Sequence, residues 1–147
     1  MTPDPWASAA TIARDVRAGT LSATAVVAAA LHSIAARNPA LNAFTDVVLA
    51  RAQARAAALD RGAAPRGPLA GVPFAVKNLF DVAGLVTRAG SRINRDNPPA
   101  ARDATLVARL EQAGAVLVGA LNMGEYAYDF TGQNVHDGAS RNPHDRA

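Results

Sequence analysis

Residues 69–78 decide the fold, and they read Leu-Ala-Gly-Val-Pro-Phe-Ala-Val-Lys-Asn. A short apolar run that is bounded by glycine and proline is typical of a buried β-strand. Lys77 closes this run at the C-terminal end of the predicted strand, which is where open α/β sheets place their ligands. Lysine and arginine together number 15, and Lys77 is the single lysine among them.

A lysine at this position has a chemical option that an arginine lacks. Burial can lower the pKa of a lysine until its amine is neutral and basic near pH 7. Lys77 is therefore a candidate general base. The alternative is a solvated lysine just past the end of a strand, and this stretch alone leaves both interpretations open.

Composition excludes several classes of function. The 147 residues are half hydrophobic, which is enough for a folded domain with a core. The net charge of +3 is spread along the chain without a long basic run, so we expect no nucleic-acid partner. The absence of cysteine excludes disulfides, thiol catalysis and zinc–thiolate sites. We see no signal peptide or membrane span, and we expect a cytoplasmic protein without a membrane partner.

Residues 1–68 are predicted to form an N-terminal helical region. Serines that can accept hydrogen bonds from first-turn amides indicate where two helices begin, and glycine or proline indicates where they end. The expected helices run from a Ser8 cap to Arg17, from a Ser22 cap to Asn38-Pro39, and from Thr45 or Asp46 to about Leu59.

Residues 69–147 are predicted to begin an α/β domain. The strand that ends at Lys77 is followed by a glycine-containing loop, a helix over 104–112 and an apolar strand over 115–119. This order is typical of a right-handed βαβ unit with parallel strands. We expect Asp103 to cap the helix, and we expect its apolar face to point inward. That face consists of Leu106, Val107 and Leu110.

The segment after the second strand is rich in aromatic residues. Tyr126, Ala127 and Tyr128 follow the C-terminal end of a predicted parallel strand, where a substrate wall is expected. The alternative is a short helix that packs its aromatic side chains into the core. Residues 131–147 are polar and rich in turn-forming residues.

Other motifs carry little chemistry. No glycine-rich phosphate-binding loop occurs, so we expect no nucleotide cofactor. His136-Asp137 and His144-Asp145 lack a third ligand at useful spacing, and we expect no metal. Ser91 and Ser140 are candidate nucleophiles that could act with Lys77, although nothing nearby marks either one.

Three segments together resemble the amidase signature family, in the right order and spacing over residues 69–145. They are Gly71–Lys77 with Asp81 and Gly84, then Ala89–Ser91, then Ala113–Gly119 with Asn122-Met123 and Arg141-Asn142-Pro143. Finer details are similar to the branch that includes carboxybiuret hydrolase, more than to the proteins that amidate mischarged tRNA. These details are Lys77–Asp81, Asn94-Arg95 and Pro98-Pro99.

The resemblance implies an α/β/α fold with a mixed central sheet and hydrolysis of amides by a Ser–Ser–Lys triad. One serine is the nucleophile, the second relays a proton, and Lys77 matches the basic lysine. The family needs no cofactor. The implied substrate is a small amide or urea-derived compound, and the intact enzyme is expected to be a homo-oligomer or to bind a small partner protein.

The sequence departs from the family in three places. The Gly/Ser-rich segment that holds both serines is expected just after Asp145-Arg146, and residues 1–147 contain no match to it. Gly124 replaces an acidic residue, and Asn78 replaces a common aspartate. We therefore expect an N-terminal amidase fragment that is inactive alone. The alternatives are a fragment of the A-type component of an aminoacyl-tRNA amidotransferase or a non-catalytic assembly piece.

Overall fold

The computed structural model describes residues 2–144, which form an α/β structure. Its helices are α1 (Ala9–Arg17), α2 (Ala23–Leu41), α3 (Leu49–Asp60) and α4 (Thr105–Gln112). Its strands are β1 (Phe44–Val47), β2 (Pro73–Lys77) and β3 (Val116–Leu121), and a single 3₁₀ turn covers Glu125–Ala127.

The three strands form one mixed sheet in the order β1-β3-β2. Strands β2 and β3 are parallel, as the sequence predicted, whereas β1 runs antiparallel to β3. Lys77 is the register partner of Leu121, so both parallel strands end at the same edge of the sheet. The predicted α/β class and the mixed sheet are both confirmed.

Helices cover both faces of this sheet. On one face, α2 and α3 pack against Val116 and Val118 in a core that also contains Val27 and Leu59. On the other face, Val107 of α4 packs in a smaller core cluster with Val76 and Leu117. Because side chains alternate along a strand, β3 supplies residues to both clusters.

The third predicted helix begins later than expected. Phe44–Val47 is a strand, and the helix begins at Leu49 rather than at Thr45 or Asp46. The reason is tertiary, because β3 offers hydrogen-bonding partners to this segment in antiparallel register. A helical pattern cannot reveal a partner that lies far away in the chain.

Helix α2 continues beyond the predicted end at Asn38-Pro39 and reaches Leu41. The Asn42 N–H donates to the Asn38 carbonyl at 2.7 Å and closes the last turn in a left-handed conformation. The Asn38 side chain binds both the N–H (2.8 Å) and the carbonyl (3.0 Å) of Phe44. These contacts hold the last turn although the residue before a proline disfavours helical geometry.

Two of the three predicted helix caps are present, and the third is not. Ser8 and Ser22 cap α1 and α2 as predicted, and α1 ends at Arg17 as expected. Asp103 does not cap α4, since it binds Arg51 and the Ala83 N–H instead. Leu106 is also exposed rather than inward-facing, because α4 buries the side that carries Val107.

Candidate functional site

Lys77 lies at the C-terminal end of β2, as predicted, and its side chain is exposed. The next residue, Asn78, is only 2% exposed, so an exposed residue is followed directly by a buried one. The burial that a neutral lysine requires is not supplied by residues 2–144. Within this part of the chain, the site is an open edge of the sheet.

An acidic side chain faces this edge from the segment after β3. Hydrogen bonds from the Thr131 side chain and N–H lower the pKa of Asp129, and the positive charge of Lys77 lowers it further. The Asp129 carboxylate lies beside Gly124, where an added Cβ would come within 2.8 Å of it. A carboxylate therefore occupies the space next to position 124, although residue 124 itself is a glycine.

The predicted substrate residues lie at the same edge but are not packed into the core. Tyr126 is 55% exposed and Tyr128 is 96% exposed. The Tyr126 N–H donates to the Ala89 carbonyl at 2.8 Å, which joins this segment to the loop after β2. Tyr126 and Ala127 are both left-handed, with φ of 51° and 56°. Such backbone conformations cluster at functional sites, and a substrate-binding role for residues 126–128 stays a prediction.

The two candidate serines use their hydroxyls elsewhere. Ser91 is completely buried and donates to a Glu125 carboxylate oxygen at 2.5 Å. Ser140 donates to the Asn42 carbonyl at 3.3 Å. Each hydroxyl thus has a structural partner in this chain.

Buried asparagines near Lys77 were missed as site residues by the sequence analysis. Asn78 accepts from the Gly90 N–H at 2.9 Å, and Asn134 donates to the carbonyls of Gly90 and Met123, each at 2.7 Å. No sequence signal marks Asn78 or Asn134 as buried, because asparagine is also common in exposed turns and their shared partner Gly90 is distant in the chain.

The histidine pairs do not assemble a metal site within residues 2–144, where no group of three or more potential ligands occurs. His136 lies 3.4 Å from Glu125, and the two form an ion pair when the histidine is protonated. Asp145, which belongs to the second histidine–aspartate pair, lies outside the described residues. Across residues 2–144, none of the helices is long and apolar enough to span a membrane.

Comparison with known proteins shows which family this chain belongs to. A sequence model of the family described as Amidase matches residues 25–147. The chain belongs to the amidase signature family. It is 53% identical over 138 residues to AtzE, a 1-carboxybiuret hydrolase subunit of Pseudomonas sp. (strain ADP), covering 91% of this chain and 30% of that protein. It is 45% identical to the A-type component of glutamyl-tRNA(Gln) amidotransferase from Azoarcus sp. (strain BH72), covering 78% and 24%.

Solved amidase signature structures have the same fold. One comes from a vestigial protein complex that bears on the origins of an s-triazine catabolic enzyme. It has a TM-score of 0.88 and 51% identity, and the match covers 92% of this chain and 30% of that one. A bacterial aryl acylamidase of the family has a TM-score of 0.86 and 34% identity, covering 95% and 30%. The chain spans less than a third of these relatives.

Proposed function

We propose that this chain is the N-terminal part of a hydrolase that cleaves linear amide or urea-derived C–N bonds, with Lys77 as its general base. The observation that carries the proposal is the place of the single lysine, at the C-terminal end of β2 opposite Leu121. The chain's 53% identity to a component of a carboxybiuret hydrolase supports a small urea-derived substrate. We propose that Tyr126, Ala127 and Tyr128 contact that substrate.

In the proposed mechanism, a serine attacks the amide carbon while its proton passes through a second serine to the Lys77 amine. The protonated lysine then returns the proton to the leaving nitrogen as the C–N bond breaks, and water hydrolyses the acyl-serine that remains. Backbone amides of a glycine-rich segment would stabilise the oxyanion. The amine must be neutral for this role, so further chain would have to cover the edge that is open here.

We further propose that residues 1–147 have no amidase activity by themselves, since neither required serine has a match among them. In the intact enzyme we propose a homo-oligomer or a small partner protein, in the cytoplasm and without a cofactor. Two relatives are named as subunits, which supports the expectation of a partner.

The test compares single-residue variants of the protein expressed from its full reading frame, with 1-carboxybiuret and small linear amides as substrates. We expect Lys77→Ala to lower kcat by about 100-fold or more. Lys77→Arg should lose as much, because an arginine stays charged. Arg102→Ala removes an exposed cation elsewhere and should leave turnover unchanged. Full activity in both Lys77 variants would refute the proposal.

A second candidate is the A-type component of an aminoacyl-tRNA amidotransferase, which the 45% identical relative favours. The two functions differ in their substrates. An amidotransferase needs mischarged tRNA and an ammonia donor, whereas the proposed hydrolase acts on a small amide or urea-derived compound. Formation of Gln-tRNA from Glu-tRNA, glutamine and ATP, with the partner components present, would support this second function. Hydrolysis of 1-carboxybiuret without tRNA would support the first.

A further inference from the structure

Gly90 lies where the loop after β2 meets the segment after β3. Its φ of +67° is in the left-handed region, and an added Cβ would lie 2.8 Å from the Met123 carbonyl oxygen and 3.0 Å from the Gly124 carbonyl oxygen. A larger residue is therefore excluded both by backbone conformation and by space. The loop approaches the ends of both parallel strands at this residue.

Two asparagines hold the Gly90 backbone from opposite sides. The side-chain oxygen of Asn78 accepts the Gly90 N–H at 2.9 Å, and the Asn134 amide donates to the Gly90 carbonyl at 2.7 Å. The exposed fraction is 2% for Asn78 and 8% for Asn134. A buried N–H that lost its acceptor would be left unsatisfied, which is costly, so these contacts fix the loop.

Asn78 makes further hydrogen bonds, and these also hold the backbone of its neighbour Lys77. The Asn78 N–H donates to the Leu121 carbonyl at 3.0 Å, and the Asn78 carbonyl accepts from the Ala89 N–H at 3.0 Å. The side-chain amide also donates to the Thr45 hydroxyl of β1 at 3.3 Å. One residue thus joins all three strands to the loop, directly after Lys77.

We propose that Asn78 is a positioning residue for Lys77, because its side-chain oxygen docks the Ala89–Ser91 loop against the end of β2. The docked loop bonds to the residue that directly follows the lysine, which fixes the main chain at Lys77. The inference rests on the proposed role of Lys77 as the base. The essential group is the acceptor oxygen, so an aspartate should serve at this position, whereas an apolar residue should not.

The first test uses hydrogen exchange and NMR of the 147-residue chain in which Tyr128 and Phe130 are both replaced with serine, which limits its self-association. We expect Asn78→Ala to speed exchange of the Gly90 N–H by about tenfold or more, and Asn78→Asp to restore it. Since Lys77 is the single lysine, isotope-labelled lysine gives one set of side-chain signals. These signals should move in Asn78→Ala and return in Asn78→Asp. Unchanged exchange or unmoved lysine signals in Asn78→Ala would overturn the inference.

The matched control is Asn122→Ala, which removes a similarly buried asparagine after the neighbouring strand. Asn122 binds the Asn42 and Gly138 carbonyls rather than the loop after β2. Its replacement should lower stability without changing Gly90 exchange or the lysine signals. Where Asn78→Ala fails to fold, Asn78→Leu fills the same space without an acceptor and takes its place in the comparison.

The second test measures turnover in the protein from its full reading frame. Asn78→Ala should lower kcat by about tenfold or more, with KM changed by less than about threefold, and Asn78→Asp should recover most of kcat. A rise in KM alone would overturn the positioning role. If Lys77→Ala keeps full activity, the proposed function fails, and the exchange and lysine signals still decide whether Asn78 docks the loop.

Discussion

Gly119 shows how much a single residue contributes to this sheet. It lies in β3 between β1 and β2, paired with Val47 on one side and Ala75 on the other. A Cβ at this position would overlap the Asp46 carbonyl oxygen and come within 2.9 Å of the Phe44 ring. The absence of a side chain is what lets β1 pair closely with β3.

We predict that Gly119→Ala lowers the free energy of unfolding by about 3 kcal/mol, because neither backbone can move away without breaking the ladder. Urea unfolding followed by circular dichroism measures this change. Gly19→Ala is the matched control, since Gly19 has φ +74° and nothing within 4 Å. It should cost only about 1 kcal/mol of backbone strain. Equal losses in the two variants would contradict the steric explanation.

Helix α2 begins with a charged acceptor that comes from another element. Asp60, the last residue of α3, accepts from the N–H groups of Ala23 (2.7 Å) and Thr24 (3.0 Å). Ser22 accepts from Ala25 at 3.0 Å. Three first-turn amides are therefore satisfied, and one of the acceptors carries a negative charge at the positive end of the helix dipole.

The Asp60 cap predicts a dependence of stability on pH. Desolvation pushes the pKa of Asp60 up, but hydrogen bonds from Thr24 and Ala23 outweigh it and leave the pKa below its ordinary value. The stabilisation should be complete above the unfolded pKa of about 3.9 and lost as the pH falls through the lower folded pKa. Asp60→Asn should lower the free energy of unfolding by about 1 kcal/mol at pH 7, and this loss should vanish in acid, where Asp60 is protonated.

Unfolding titrations between pH 7 and acid measure this difference. Asp96→Asn changes an exposed carboxylate in the loop after β2, and it should not alter how the free energy of unfolding depends on pH. If the free energies of unfolding of the wild type and Asp60→Asn differ by the same amount at every pH, the charge of Asp60 does not stabilise α2.

At the scale of the whole molecule, residues 2–144 leave apolar surface uncovered. Tyr128, Phe130 and Val135 are each more than 90% exposed, and they lie in one segment after β3. Strands β1 and β2 are both edges of the sheet within the described residues. Exposed aromatic residues and unpaired strand edges both favour association.

We predict that the 147-residue chain self-associates at concentrations above about 10 µM. Sedimentation velocity over a range of concentrations measures the effect. Replacing both Tyr128 and Phe130 with serine should raise the concentration that is needed, because it removes the largest exposed aromatic surface. A monodisperse monomer at about 100 µM would contradict the prediction.

Part of the candidate site could be predicted because its signals are local. A single lysine after an apolar run and before a turn indicates a strand end, whatever the rest of the chain does. The contacts of Asn78, Asn134 and Ser91 could not be predicted, because each partner is distant in the chain. Glu125, for example, binds Ser91 only after β3 has aligned beside β2.

The sequence by itself determined the parallel β2–α4–β3 unit, the serine caps of α1 and α2, and the place of Lys77. Each of these follows from spacing and residue type within about a dozen neighbouring residues. Only the tertiary structure decided that Phe44–Val47 is a strand and that Asp103 binds Arg51. It also decided that Lys77 is exposed in residues 2–144. The physical reason is that pairing and burial depend on partners brought together by folding, which local pattern does not contain.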